Sequence, residues 1–133
     1  KYPLKPIQTV NKLNEFYKLA AFNDNLKLVS RDNYITRIEL KILESNIIKY
    51  FYNSGYFFEY VASELYEILP VCGEKCQTLA YLGIERSMLM DLLKEQRPKG
   101  VDRVCKLGQT LNFSLVWDGY DLISSLSRVI DII

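Results

Sequence analysis

The chain opens with a helical period. Behind Pro3 and Pro6, the apolar residues Ile7, Val10, Leu13, Phe16, Tyr17, Ala20 and Ala21 recur three or four apart until Asn23-Asp24-Asn25 stops them, which predicts a helix over 7–22. The period then falls to two. Tyr34, Thr36, Ile38, Leu40 and Ile42 share one face and Arg37, Glu39 and Lys41 the other, the pattern of a strand with one buried and one wet side. Residues 47–52 and 56–61 are aromatic and β-branched, and Asn53-Ser54-Gly55 between them predicts an antiparallel hairpin. Ser63 is placed to cap a short helix over 64–69, which Pro70 follows.

The second half changes character. Residues 77–82 read as a strand ended by Gly83, and 86–96 as a helix with Met88, Leu89, Leu92 and Leu93 on its apolar side. After the breaker Arg97-Pro98-Lys99-Gly100, residues 102–107 form another strand up to Gly108. Leu122, Leu126, Val129, Ile130 and Ile133 then mark one face of a final helix. Strand, helix, strand, helix with short connections is a βαβα unit whose strands should run parallel. The expected fold class is α/β: a mixed sheet with an antiparallel aromatic hairpin, followed by the C-terminal βαβα unit. Residues 1–133 are expected to make a single α/β domain or a subdomain of a larger enzyme.

Composition narrows the chemistry. With 49% apolar and 25% charged residues, the chain has the balance of a globular protein rather than a disordered one. Lysine plus arginine (17) nearly equals aspartate plus glutamate (16), so the net charge of +1 gives no support to nucleic acid or an anionic membrane as partner. There are no histidines, which removes Ser-His and Cys-His catalysis and His-type zinc sites together. Cys72, Cys76 and Cys105 are an odd number without a disulfide framework, and read as reduced packing thiols in a cytoplasmic setting. No apolar run is long enough for a membrane span. A first residue Lys1 without a signal-like stretch is what an excised segment would show.

Among local motifs, Val116-Trp117-Asp118-Gly119-Tyr120-Asp121-Leu122 is the densest. At the entrance to the last helix, Asp118 is expected to cap the first turn, Asp121 to favour its positive end, and Trp117 to anchor the loop. The other reading has Trp117 and Tyr120 lining a pocket for an acyl chain or nucleotide ring. Two carboxylates there would repel phosphate. Gly108-Gln109-Thr110 follows a strand but lacks a phosphate-loop pattern, and Glu64, Glu67 and Glu74 read as a solvated face. Tyr50, Phe51, Tyr52, Tyr56, Phe57, Phe58 and Tyr60 invite an RNA-stacking reading, but no RNP1 pattern is present, and core packing or a subunit contact is preferred.

Several phrases fall in a familiar order: Gln77-Thr78-Leu79, Gly100-Val101-Asp102-Arg103-Val104, Leu107-Gly108-Gln109-Thr110-Leu111-Asn112-Phe113 and Trp117-Asp118-Gly119-Tyr120-Asp121-Leu122, with Arg128 beyond. From 77 to 128 this resembles the C-terminal end of the bacterial fatty acyl-CoA reductases that supply aldehyde for bioluminescence. From 1 to 76 only the order of elements agrees. The resemblance implies an aldehyde dehydrogenase-like architecture with a nicotinamide-binding domain, a cysteine nucleophile and an oligomerisation element. It implies acyl transfer from fatty acyl-CoA to that cysteine, then reduction by NADPH to a fatty aldehyde.

In such enzymes the nucleophile and the dinucleotide-binding region lie upstream, and none of Cys72, Cys76 or Cys105 sits in a matching motif. What carries over is Trp117, Asp118, Gly119 and Tyr120 as a substrate-binding loop closing one side of the active site. No catalytic, cofactor-binding or metal residue is implied, so this chain alone should be inactive. The alternative is a free-standing binding or protein-interaction module using the aromatic hairpin, through which a homo-oligomer could also form.

Overall fold

The computed structural model describes residues 3–132, without the side chains of Ser30 and Arg31. The chain forms two compact units, Lys1–Val71 and Cys72–Ile133. Its architecture is mixed α/β, with small sheets and a few helices. No helix among the described residues is long and apolar enough to cross a membrane.

In the first unit, α1 (Pro6–Ala20) starts as its sequence predicts. Pro6 occupies the first helical position, where its missing N–H costs nothing, and the Gln8 side chain accepts the Lys5 N–H at 2.8 Å. Strand β1 (Leu26–Arg31) pairs antiparallel with β2 (Thr36–Leu40), and β2 pairs in parallel with β3 (Tyr56–Tyr60). The period-two reading of β2 holds: Thr36, Ile38 and Leu40 are buried. Tyr34 and Ile42, beyond the strand, are exposed. Strand β1, with Leu26, Leu28 and a bulge between residues 28 and 30, was not expected.

The antiparallel aromatic hairpin does not form. Residues Ser45–Tyr50 make a 3-10 helix that buries Ile47, and β3 pairs with β2 instead. Register explains the choice, since Thr36, Ile38 and Leu40 stand beside Tyr56, Phe58 and Tyr60 and extend one buried face across two strands. The turn before β3 is also engaged elsewhere. Its Gly55 carbonyl accepts the Thr36 N–H at 2.8 Å, and its Ser54 carbonyl accepts from Lys12 at 3.0 Å. Leu19, Ile38, Leu40, Ile47 and Tyr56 form the core, with Tyr50, Tyr52, Phe58 and Tyr60 packed against it, while Phe51 and Phe57 remain exposed.

Lys12 on α1 is the least expected core residue, only 1% exposed. Its ammonium donates to the carbonyls of Asn33 (3.1 Å), Tyr34 (2.9 Å) and Ser54 (3.0 Å), tying the helix to the β1–β2 turn and to the start of β3. Three donors meet three acceptors, the condition for burying a lysine. Burial lowers its pKa, with the Asp32 carboxylate opposing.

The short helix expected over 64–69 is a 3-10 helix, Leu65–Val71, that contains Pro70. Its start is capped by Glu67 rather than Ser63. That carboxylate accepts the N–H groups of Ser63 (2.8 Å) and Glu64 (2.7 Å) and the Tyr60 hydroxyl.

The second unit carries β4 (Gln77–Tyr81), α2 (Arg86–Gln96) and β5 (Val101–Lys106), with β4 and β5 parallel as expected. Leu89 is the buried anchor of α2, and Arg97 ends the helix in the left-handed region, its N–H on the Leu93 carbonyl at 2.9 Å. A two-stranded hairpin follows, β6 (Val116–Trp117) with β7 (Tyr120–Asp121), and then α3 (Leu122–Leu126).

The final helix is thus a little over one turn, not the long one expected. Val129, Ile130 and Ile132 are 94%, 83% and 89% exposed and outside any helix, and Ile133 lies outside the described residues. A short amphipathic stretch has no surface here to pack on, and without one its nucleation cost is not recovered.

Candidate functional site

The segments that carry the sequence resemblance meet in the second unit. Asp118 and Gly119 both have positive φ (49° and 78°), so Asp-Gly forms the two-residue turn of a primed hairpin between Trp117 and Tyr120. The sequence held that signal, an Asp-Gly pair between two aromatics, although the run reads first as a helix entrance. As a consequence Asp118 caps nothing. Asp121 does so instead, accepting the Ile123 and Ser124 N–H groups at 3.0 and 3.3 Å and the Ser124 hydroxyl at 3.0 Å. The Ser124 N–H, followed by its hydroxyl, holds the Asp121 carboxyl below its ordinary range.

Each arm of the turn has a partner from elsewhere in the unit. The Gln77 side chain at the start of β4 donates to Asp118 Oδ1 at 2.5 Å. On β5, Arg103 places its guanidinium 4.8 Å from the centre of the Trp117 ring, a cation–π arrangement. The same guanidinium donates to the carbonyls of Thr110 (3.1 Å), Gln109 (3.4 Å) and Asn112, so it gathers the loop after β5 while it supports the indole. Phe113, from that loop, stacks on the Trp117 ring with centroids 5.4 Å apart. Gly119 is close to Asp102: a Cβ there would stand 3.0 Å from the Asp102 carboxylate and would have to keep a positive φ.

Of the four residues expected at the site, Trp117 is half-buried while Asp118, Gly119 and Tyr120 are exposed, and the Tyr120 ring makes no aromatic pair among the described residues. Residue-type reasoning missed Arg103 as the organiser and Gln77 as the brace, because their partners are distant in sequence. The cluster positions an aromatic wall and a carboxylate. It carries no activated nucleophile.

Neither thiol of the 72–76 segment fills that role. Burial first, and then the neighbouring Cys76, push the Cys72 thiol up to about 11, and burial raises Cys76 as well. Both shifts disfavour the thiolate that would attack a thioester. Among the described residues, no group of three or more His, Cys, Asp or Glu side chains is placed to hold a metal ion.

A cleft of about 870 Å³ opens at the carboxyl ends of β4 and β5, beside the start of α2. Leu82, Ile84, Met90 and Leu107 give it apolar walls, with Arg86 and Lys106 among its lining. Ligands of parallel α/β sheets commonly lie at such strand ends. Gln109 borders the cleft and also gives its carbonyl to Arg103, so the loop after β5 belongs to both features.

No protein-family model, curated protein or solved structure matches this chain.

Proposed function

We propose that this chain is the C-terminal portion of an NADPH-dependent fatty acyl-CoA reductase, a cytoplasmic enzyme with an aldehyde dehydrogenase-like architecture that converts fatty acyl-CoA to fatty aldehyde through an acyl-cysteine. The observation that carries the reading is the convergence of its four sequence phrases. Gln77, Asp102 with Arg103, the 107–113 loop, and Trp117-Asp118-Gly119 lie apart in the chain yet contact one another around one turn. In this reading that turn closes one side of the acyl-CoA site, with Trp117 and Tyr120 as its aromatic edge.

Further support comes from the apolar side chains left open in the same unit, among them Leu111, Phe113, Leu126, Val129 and Ile130. Apolar surface on this scale belongs against other protein. The turn between β4 and α2 does not suit a dinucleotide. It has a single glycine, Gly83, and sets the Glu85 carboxylate at the helix N-terminus, where a pyrophosphate needs open amides. NADPH would therefore be held by residues outside this chain, as would the acylated cysteine.

The complete reading frame around these residues tests the proposal. A cysteine-bearing catalytic segment and a dinucleotide-binding segment upstream of Lys1 are the expected result. A start codon immediately before Lys1 would overturn it, as would NADPH oxidation with long-chain acyl-CoA by the purified chain alone.

A further inference from the structure

The segment between the first unit and β4 carries two thiols in a tightly held turn. Cys72 and Cys76 are reduced, and their thiols are near enough for each to shift the other's titration. The backbone around them is fixed at both ends. The Cys76 N–H donates to the Gly73 carbonyl at 2.8 Å, and the Gly100 N–H donates to the Cys72 carbonyl at 3.3 Å. Gly100 approaches so closely that a Cβ on it would stand 1.5 Å from the Gly73 oxygen. These backbone contacts hold residues 72 and 76 on one turn, which lowers the entropy cost of joining their thiols. Cys72 is buried and Cys76 half-buried, so Cys76 is the sulfur a reagent reaches first.

The adjoining residue links this turn to the Trp117 hairpin. Gln77 follows Cys76 directly, has a φ of +53°, and donates to Asp118. The Thr78 N–H meanwhile binds the Cys76 carbonyl at 2.6 Å, so a change in the Cys76 backbone is passed to a strained residue whose side chain braces the hairpin.

We propose that Cys72 and Cys76 are a reversible dithiol–disulfide site whose oxidation closes the 73–75 loop and shifts the Trp117 turn through Gln77. The inference is independent of the acyl-CoA reductase reading. With glutathione disulfide as oxidant, the Cys76 thiolate attacks one glutathione sulfur, and the glutathione S–S bond breaks to release one thiolate. The Cys72 thiolate then attacks the Cys76 sulfur of the mixed disulfide and expels the second glutathione thiolate. Two electrons pass from the protein sulfurs to glutathione, and the two thiol protons end on the departing thiolates. Burial holds both thiols up, so exchange at neutral pH is slow.

The test equilibrates the full chain in glutathione buffers at about pH 8.5, where more thiolate is present, then quenches with acid and alkylates the remaining thiols. Lys75 lies between the two cysteines, so trypsin separates them into peptides 50–75 and 76–86 that stay joined only by a disulfide. The expected result is a joined pair, Cys105 alkylated, and about a tenfold or greater excess of the internal disulfide over the glutathione adduct, because the second thiol acts intramolecularly. Cys72→Ser should instead accumulate the adduct on Cys76, and Cys105→Ser should leave the joined pair unchanged. Trp117 is the single tryptophan, so its emission should shift on oxidation of the native chain and not of Cys76→Ser. The site is refuted if both thiols remain alkylatable under excess glutathione disulfide, or if either pairs with Cys105. Disulfide formation without an emission shift would refute the coupling to the turn.

Discussion

Replacing Tyr56 by phenylalanine should stabilise the first unit. The Tyr56 ring belongs to the core at 7% exposure, and its hydroxyl is buried without a hydrogen-bond partner among the described residues. Taking a hydroxyl out of water without a partner costs about 1–3 kcal/mol by mutational comparison. Phenylalanine keeps the ring and its edge-to-face contact with Phe58, whose centroid is 5.3 Å away. Tyr56→Phe is therefore expected to raise the unfolding free energy by about 1 kcal/mol.

Alkaline pH supplies an independent handle on the same atom. Burial, with the Glu15 charge adding to it, raises the phenol's pKa well above its ordinary value of 10.0. Below pH 10 the phenol is protonated in both states and contributes no pH dependence. Above it the unfolded chain releases the proton while the folded chain keeps it, so stability falls with a slope approaching about 1.4 kcal/mol per pH unit. The variant loses that contribution, and its advantage should widen as pH rises past 10. Urea unfolding followed by backbone circular dichroism from pH 7 to 11 measures both effects. Trp117 fluorescence separates out the second unit, which holds the only tryptophan. A variant less stable than the native chain at pH 7, or an advantage constant with pH, would show that the hydroxyl has a partner or reaches water.

Three further substitutions examine other joints of the fold. Lys12→Met leaves the carbonyls of Asn33, Tyr34 and Ser54 without their donor, and should destabilise the first unit by about 3 kcal/mol, read as a lower urea midpoint without loss of the Trp117 signal. Gly100→Ala forces a methyl into the Gly73 backbone and should cost the second unit about 3 kcal/mol, visible as early loss of Trp117 emission in urea while the first unit's transition stays in place. Arg103→Lys retains the charge but loses the planar fork that gathers three carbonyls beneath Trp117. It should shift Trp117 emission to the red and speed limited proteolysis between residues 107 and 115, and an unchanged spectrum and cleavage rate would exclude Arg103 as organiser.

The residue pattern alone determined the elements whose stability is mostly local. The helical period and Pro6 placed α1, the alternation at Thr36, Ile38 and Leu40 placed β2, and the sequence of β4, α2 and β5 gave a parallel pair because a crossover helix leaves little else open. It marked residues 117–121 as the entrance to a helix, where the structure instead makes a hairpin turn at Asp118-Gly119 and caps the helix with Asp121. Pairing choices were decided by tertiary structure. Tyr56–Tyr60 has the composition of a hairpin arm, yet it joins β2 because that register continues a buried face already covered by α1. Lys12 looks like any polar helix residue until three carbonyls from distant turns meet it. Arg103 likewise acquires its place only when Trp117 and the 107–113 loop fold over it. Period and propensity are properties of neighbours along the chain, whereas burial and hydrogen-bond satisfaction depend on residues that meet only after folding.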